Sequence, residues 1–274
     1  MNDLIIHPEY ANLKDTIEKL KINLTEKIAK KDYLVFHECK TIETNYMLQL
    51  GYLEYKIFEI KLNIRKIRRE IHLIQKQINL QKEVDLIFIR KQIEVEFEKQ
   101  ILELKEKSAK LNIALKQNDL KLLSDEESKE IKTIYKDLIL KLHPDLNENI
   151  GEKEKDLFFQ VMDAYEDGNL EKLKVLKILA SDIMDISNID GTDENIMDKL
   201  KEQVYTLEIN LGIIDKEMDE IKRSYPYNKK DLINDENKLK KNKESLEQEI
   251  KENIELQNNY KKKLENLLKS IEKY

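Results

Sequence analysis

His143, Pro144 and Asp145 set an imidazole and a carboxylate on either side of a proline. Before them run Lys129, Lys132 and Lys136, whose spacing puts three ammonium groups on one helical face. The chemistry these groups offer is recognition: hydrogen bonds and charge shown to a partner from a rigid turn. Catalytic arrangements are missing around them. The sequence has no Gly-rich phosphate loop and no Ser/His/Asp or Cys/His set. His7, His37 and His72 are scattered without a second His or Cys at ligand spacing, so they read as ordinary surface or seam residues, and no metal or other cofactor is expected. Glu126-Glu127 and Asp193-Glu194 read as helix-start charges, not acid–base pairs. The simplest reading of His143 itself is a polar residue at a helix C-terminus, where a cation is favoured.

The neighbours of the tripeptide define how it is held. Ser124 with Glu127 three residues on is a capping-box pattern, so a helix is predicted to start there. Ile131, Ile134, Tyr135, Leu138 and Leu142 follow at helical spacing and should face inward. The proline ends this helix, because the residue before it avoids the α region. A polar loop with Asn147, Asn149 and Gly151 comes next. A second helical pattern then carries Phe158, Phe159, Val161, Met162 and Tyr165. Asp167-Gly168-Asn169 is a stop and restart before a short helix through Leu170, Leu173, Leu176 and Leu179.

Composition bounds the rest. Among 274 residues there are only 5 Gly and 3 Pro, while 38% are charged, which predicts an almost wholly helical chain. The hydrophobic share of 40% is too high for general disorder. The net charge of −6, with both signs interspersed, argues against a nucleic-acid binder. Cys39 is the single cysteine, so a reducing compartment is expected and an inert thiol. The N-terminus lacks the plan of a secretory signal. No stretch reaches the roughly 20 apolar residues that span a bilayer. A cytoplasmic protein without membrane contact is the expectation.

Two long regions flank the tripeptide segment. Leu13, Ile17, Leu20, Leu24 and Ile28 mark a first stripe, and Gly51 stands as a turn or kink. From Leu53, Ile57, Ile60 and Ile64 to Ile78 the apolar steps alternate four and three, the a/d signature of a coiled-coil seam. Arg65, Arg68 and Arg69 in this stretch read as a solvated face. The seam returns from Leu200 to Tyr225, and after a break at Pro226 again from Leu239 to Ile271, with Lys243, Asn253 and Gln257 in register. The expected organisation is an N-terminal helical region over 1–108, packed antiparallel; a small helical domain over 109–180; a linker over 181–192; and a C-terminal hairpin over 193–274. The seams allow closure within the chain or between two chains, so a homodimer is one outcome.

The stretch IYKDLILKLHPDLN followed by FFQVMDAYEDGNLEKL resembles the J-domain family of co-chaperones. The matching residues are Tyr135, Leu138, Leu142, His143, Pro144, Asp145, Asn147, Phe159, Ala164 and Tyr165, over roughly 124–180. The resemblance implies a J-domain-like helical domain; with the composition and the seams above, the expected fold is all-α, that domain flanked by long antiparallel coiled-coil helices. It also implies a non-enzymatic role. The tripeptide and the basic face of the preceding helix would contact a DnaK-type ATPase chaperone and stimulate ATP hydrolysis, with His143 and Asp145 as trigger, Pro144 shaping the turn, and Lys129, Lys132 and Lys136 steering docking. The coiled coils would hold a protein client or assembly. The sequence departs from the family in three ways. No Y-x-x-L-G first helix precedes the domain, so that its equivalent would be Lys110–Leu120. Leu146 replaces a common basic residue, and Asp137 interrupts the basic face. The alternative is a coiled-coil scaffold whose J-like domain is an inactive spacer.

Overall fold

A computed structural model describes residues 8–118, 124–147, 150–184 and 196–271. The described residues are helical and contain no strand. The helices are α1 (Pro8–Tyr33), α2 (Lys40–Tyr46), α3 (Tyr52–Asn79), α4 (Leu86–Glu96), α5 (Glu98–Asn118), α6 (Asp125–Leu142), α7 (Glu152–Glu166), α8 (Leu170–Met184), α9 (Ile196–Arg223), α10 (Lys230–Asn234) and α11 (Glu236–Ile271). Backbone helicity does not stop at Tyr33 or Tyr46, because π-helical turns over Leu34–Cys39 and Met47–Gly51 carry it on to Asn79. Gly51 is therefore not a turn. Its φ is −59°, and a Cβ there would meet the Met47 sulfur at 2.7 Å. The glycine admits the methionine.

The chain forms two compact units, residues 1–41 with 121–228, and residues 42–120 with 229–274. The sequence pattern alone suggests boundaries at 108, 180 and 192. Each unit joins chain from both halves of the sequence. Most of the expected linker over 181–192 lies outside the described residues, and its first four residues belong to α8.

In the first unit, α6, α7 and α8 pack together, and α1 and α9 lie against them or each other. One core joins Leu24 and Ile28 of α1, Tyr135, Leu138 and Leu142 of α6, Val161 and Tyr165 of α7, Leu173 of α8, and Leu207 and Ile214 of α9. Burying side chains of this size stabilises by about 1.5–3 kcal/mol each, which makes this core the main support of the tripeptide turn. Lys201 pairs with Glu9 at 3.0 Å, Lys27 with Asp215, and Lys31 with Glu217 at 2.9 Å. Residue numbers rise together along both helices, so α1 and α9 run parallel.

The second unit has the same relation. Leu53, Ile57, Ile60 and Ile64 of α3 pack on Leu246 and Ile250 of α11, while Leu73 and Ile74 pack near Leu264, Leu267 and Ile271. Lys61 meets Glu249 at 2.5 Å. Here too the helices are parallel. The pairs Lys27–Asp215 and Lys61–Glu249 are both 188 residues apart and Lys31–Glu217 are 186 apart, so the register offset is similar in the two units. The expected antiparallel C-terminal hairpin is thus replaced: α9 takes its partner from α1, and α11 from α3. The ion pairs report register more than they stabilise, since exposed pairs contribute about 0–1 kcal/mol. An antiparallel arrangement does occur between α3 and the α4–α5 stretch. Arg69 binds Glu96 in bidentate fashion at 2.7 and 2.8 Å, Arg90 meets Glu70 at 3.0 Å, and Lys107 lies over the Phe58 ring. Arg69 is accordingly paired, not simply solvated.

Candidate functional site

The helix leading to the tripeptide starts as its sequence dictates. Glu127 N–H donates to Ser124 Oγ at 3.2 Å, and Ser124 N–H donates to the Glu127 carboxylate at 2.8 Å. Six residues of α6 face inward and are buried: Ile131, Ile134, Tyr135, Leu138, Ile139 and Leu142. At the far end His143 leaves the helix with φ −70° and ψ 129°, the extended backbone that a following proline demands. The helix C-terminus is then closed from beyond the turn. The Asn147 amide donates to the carbonyls of Leu140, Lys141 and His143 at 3.1, 3.0 and 3.3 Å. The Leu140 and Lys141 carbonyls, left over at the helix end, are satisfied by this side chain, while the His143 carbonyl also accepts the backbone N–H groups of Leu146 and Asn147 at 3.0 and 3.2 Å. Leu146 is buried in the core. Its side chain anchors the turn from within.

The turn projects its groups unequally. Pro144 and Asp145 are exposed, whereas His143 is half-buried. The Asp145 backbone N–H donates to His143 Nδ1 at 3.1 Å, and the Phe158 ring meets the imidazole edge-on with centroids 5.0 Å apart. A nitrogen that accepts a hydrogen bond carries no proton, so the imidazole is neutral with its hydrogen on Nε2. Burial lowers the His143 pKa and outweighs the opposing pull of the Asp145 charge. The turn thus shows a neutral donor beside a carboxylate. Phe158, not Phe159, supplies the packing: Phe159 is 61% exposed.

The three lysines do not share one environment. Lys129 and Lys136 are exposed. Lys132 is half-buried, with its ammonium 3.7 Å from the centroid of the Tyr33 ring. Asp137 turns the other way and pairs with Lys177 of α8 at 2.7 Å, as Glu130 does with Lys174 at 3.0 Å. It therefore lies on the α8 side and does not interrupt the lysine face. α7 ends in a left-handed Gly168, φ 64°, with Asn169 N–H reaching the Ala164 carbonyl at 2.8 Å, and Asn169 Oδ1 then caps α8.

Before α6 the sequence points to a helix at 110–120, as the end of a long incoming one. Residues 110–118 belong to α5, in the second unit, and 119–120 lie outside the described residues. Within the first unit, α1 and the π-helical turn after it pack on α6 and α7. The buried Asp32 carboxylate accepts the Tyr135 hydroxyl at 2.8 Å. Tyr135 stacks on Tyr165 with centroids 3.6 Å apart and planes 4° from parallel. His37 meets Tyr165 edge-on at 4.8 Å. Burial raises the Asp32 pKa despite the hydrogen bond from Tyr135, and burial also raises both tyrosines. His37 is lowered by burial and by the Lys40 and Lys132 charges. Sequence reading set His37 aside and passed over Asp32 and Tyr33, since the residues they touch are about a hundred positions away and no local spacing marks them.

Among the described residues no group of His, Cys, Asp or Glu could hold a metal, and no helix is long and apolar enough to cross a membrane. Cys39 is buried. No family model, curated protein or solved structure matches this chain.

Proposed function

We propose that this protein is a J-domain-type co-chaperone that engages a DnaK-type ATPase through the turn at His143, Pro144 and Asp145. The single observation that carries the reading is the α6–turn–α7 hairpin, in which a capped helix end holds a neutral imidazole and an exposed carboxylate at the hairpin tip. Lys129 and Lys136 stand on the same helix as exposed cations able to steer an acidic surface. The work would be done by binding, with the ATPase supplying the chemistry. The paired long helices would hold a protein client, in the cytoplasm, and a second copy of the chain is one candidate partner for their outer faces.

The test is single-turnover ATP hydrolysis by the DnaK-type chaperone of the same organism. Wild-type protein is expected to accelerate it and His143→Gln to lose at least most of that acceleration. Equal rates with both proteins would remove the proposal.

The half-burial of His143 and the covering of Lys132 favour a second reading, a helical scaffold whose J-like domain only spaces the long helices. In that reading His143→Gln is silent in cells, while a charge placed in the seam at Ile214 or Leu264 abolishes function.

A further inference from the structure

Four side chains in one short stretch touch the J-like hairpin. Asp32 takes the Tyr135 hydroxyl, the Tyr33 ring lies under the Lys132 ammonium, His37 meets Tyr165, and Lys40 pairs with Glu166 at 2.8 Å. The stretch runs from the end of α1 through the π-helical turn into α2. It is fixed near one end by a buried hydrogen bond and at the other by an ion pair, with the tyrosine ring close to the buried end. Of the three lysines assigned to docking, the two outer ones in sequence are exposed and the middle one is held. An ammonium seated on a ring face has its charge partly satisfied and its hydration partly removed. To meet a carboxylate on a partner it must first leave the ring.

We propose that residues 32–40 form an autoinhibitory strap, in which Tyr33 withholds Lys132 from the ATPase chaperone. This rests on the co-chaperone reading above. The strap weakens docking without touching the tripeptide turn, so it changes affinity and leaves maximal stimulation alone. A client or assembly that displaced the end of α1 would release the lysine and strengthen docking.

The experiment uses the full chain and Tyr33→Leu. Leucine keeps apolar bulk at this position, which is 36% exposed, but has no ring face. The protein concentration giving half-maximal stimulation of the chaperone's ATP hydrolysis is expected to fall about two- to fivefold, the range of a cation–π contact near a surface. Maximal stimulation should not change, and Lys132→Gln added to Tyr33→Leu should cancel the gain. An independent arm needs no chaperone: amine acylation followed by mass spectrometry. Lys132 should react more slowly than Lys129 and Lys136 in the wild type, and as fast as they do in Tyr33→Leu. Equal wild-type rates at the three lysines, or a half-maximal concentration that stays level or rises in Tyr33→Leu, would overturn the strap. Failure of the underlying reading looks different. Wild type and His143→Gln would then be equally inert toward the chaperone while Lys132 remained protected, and the strap would fall because there is no docking for it to restrain.

Discussion

The two units spend similar apolar patterns on different ends. The first gathers five helices around one core and buries polar chemistry in it: an acid on a tyrosine hydroxyl, two stacked tyrosine rings, and a histidine at their edge. The second lines three stretches, α3, α4–α5 and α11, along two small clusters, with paired charges at the margins. A narrow seam can hold helices in register but has no depth in which to shelter a carboxylate. A broad core has that depth, and in this protein it also supports the one turn with recognition chemistry. The strict heptad from Leu53, the most regular pattern in the sequence, therefore marks structure, and the less regular stretch around His143 marks the candidate site.

The largest expected effect comes from the first unit. Tyr165→Ala removes the ring that touches both Tyr135 and His37, and should cost about 3–5 kcal/mol in urea denaturation. Amide exchange in α6, α7 and α8 should quicken correspondingly while α3 and α11 keep their protection. Equal quickening in both would erase the contrast and show a single cooperative body.

In the second unit Ile60→Ala should cost about 2–3 kcal/mol, the lower part of the range for such truncations, because a narrow seam can partly close over the gap. A loss as large as that of Tyr165→Ala would mean the seam is as well packed as the broad core.

Asp32 gives an effect of distinctive sign. Its folded pKa is raised, chiefly by burial, so the folded protein holds that proton more tightly than the unfolded chain does. Stability should therefore rise as pH falls through the raised value and level off below the ordinary carboxylate range. Asp32→Asn should remove that component, and the measurement is the difference in denaturation midpoint between the two proteins as pH is lowered from neutral. A pH-independent difference would show that the carboxylate is solvated in the folded state.

The smallest effect belongs to the turn itself. Asn147→Ala leaves the Leu140 and Lys141 carbonyls at the end of α6 to water and should cost about 1 kcal/mol. The same substitution should loosen the hydrogen bond between Asp145 and His143, read as a shift of the His143 NMR titration toward an ordinary imidazole value.

Local chemistry was legible without coordinates. The Ser124–Glu127 box, the stop at Pro144 and the restart at Gly168-Asn169 each depend on neighbours a few residues apart, and each appears where the side chains require it. Which residues face inward was also largely readable, since helical period alone fixes a stripe. Phe159 shows the margin of error, one position away from Phe158, which carries the packing.

Partner and direction were not readable. An a/d stripe of leucine and isoleucine names a buried face but is indifferent to whether its neighbour runs parallel or antiparallel. The short break at Pro226 suggested a hairpin, because brief connections usually join antiparallel neighbours. Long-range packing chose otherwise, setting α9 on α1 and α11 on α3, both in parallel. The same long-range step brought Asp32, Tyr33 and His37 to the α6–α7 hairpin. Residue types and short spacings settled the helices, their caps and the exposed turn, because those energies are local. The mates of each helix, their sense, and the burial of His143 and Lys132 emerged only on folding, because they depend on surfaces that meet across a hundred or more residues.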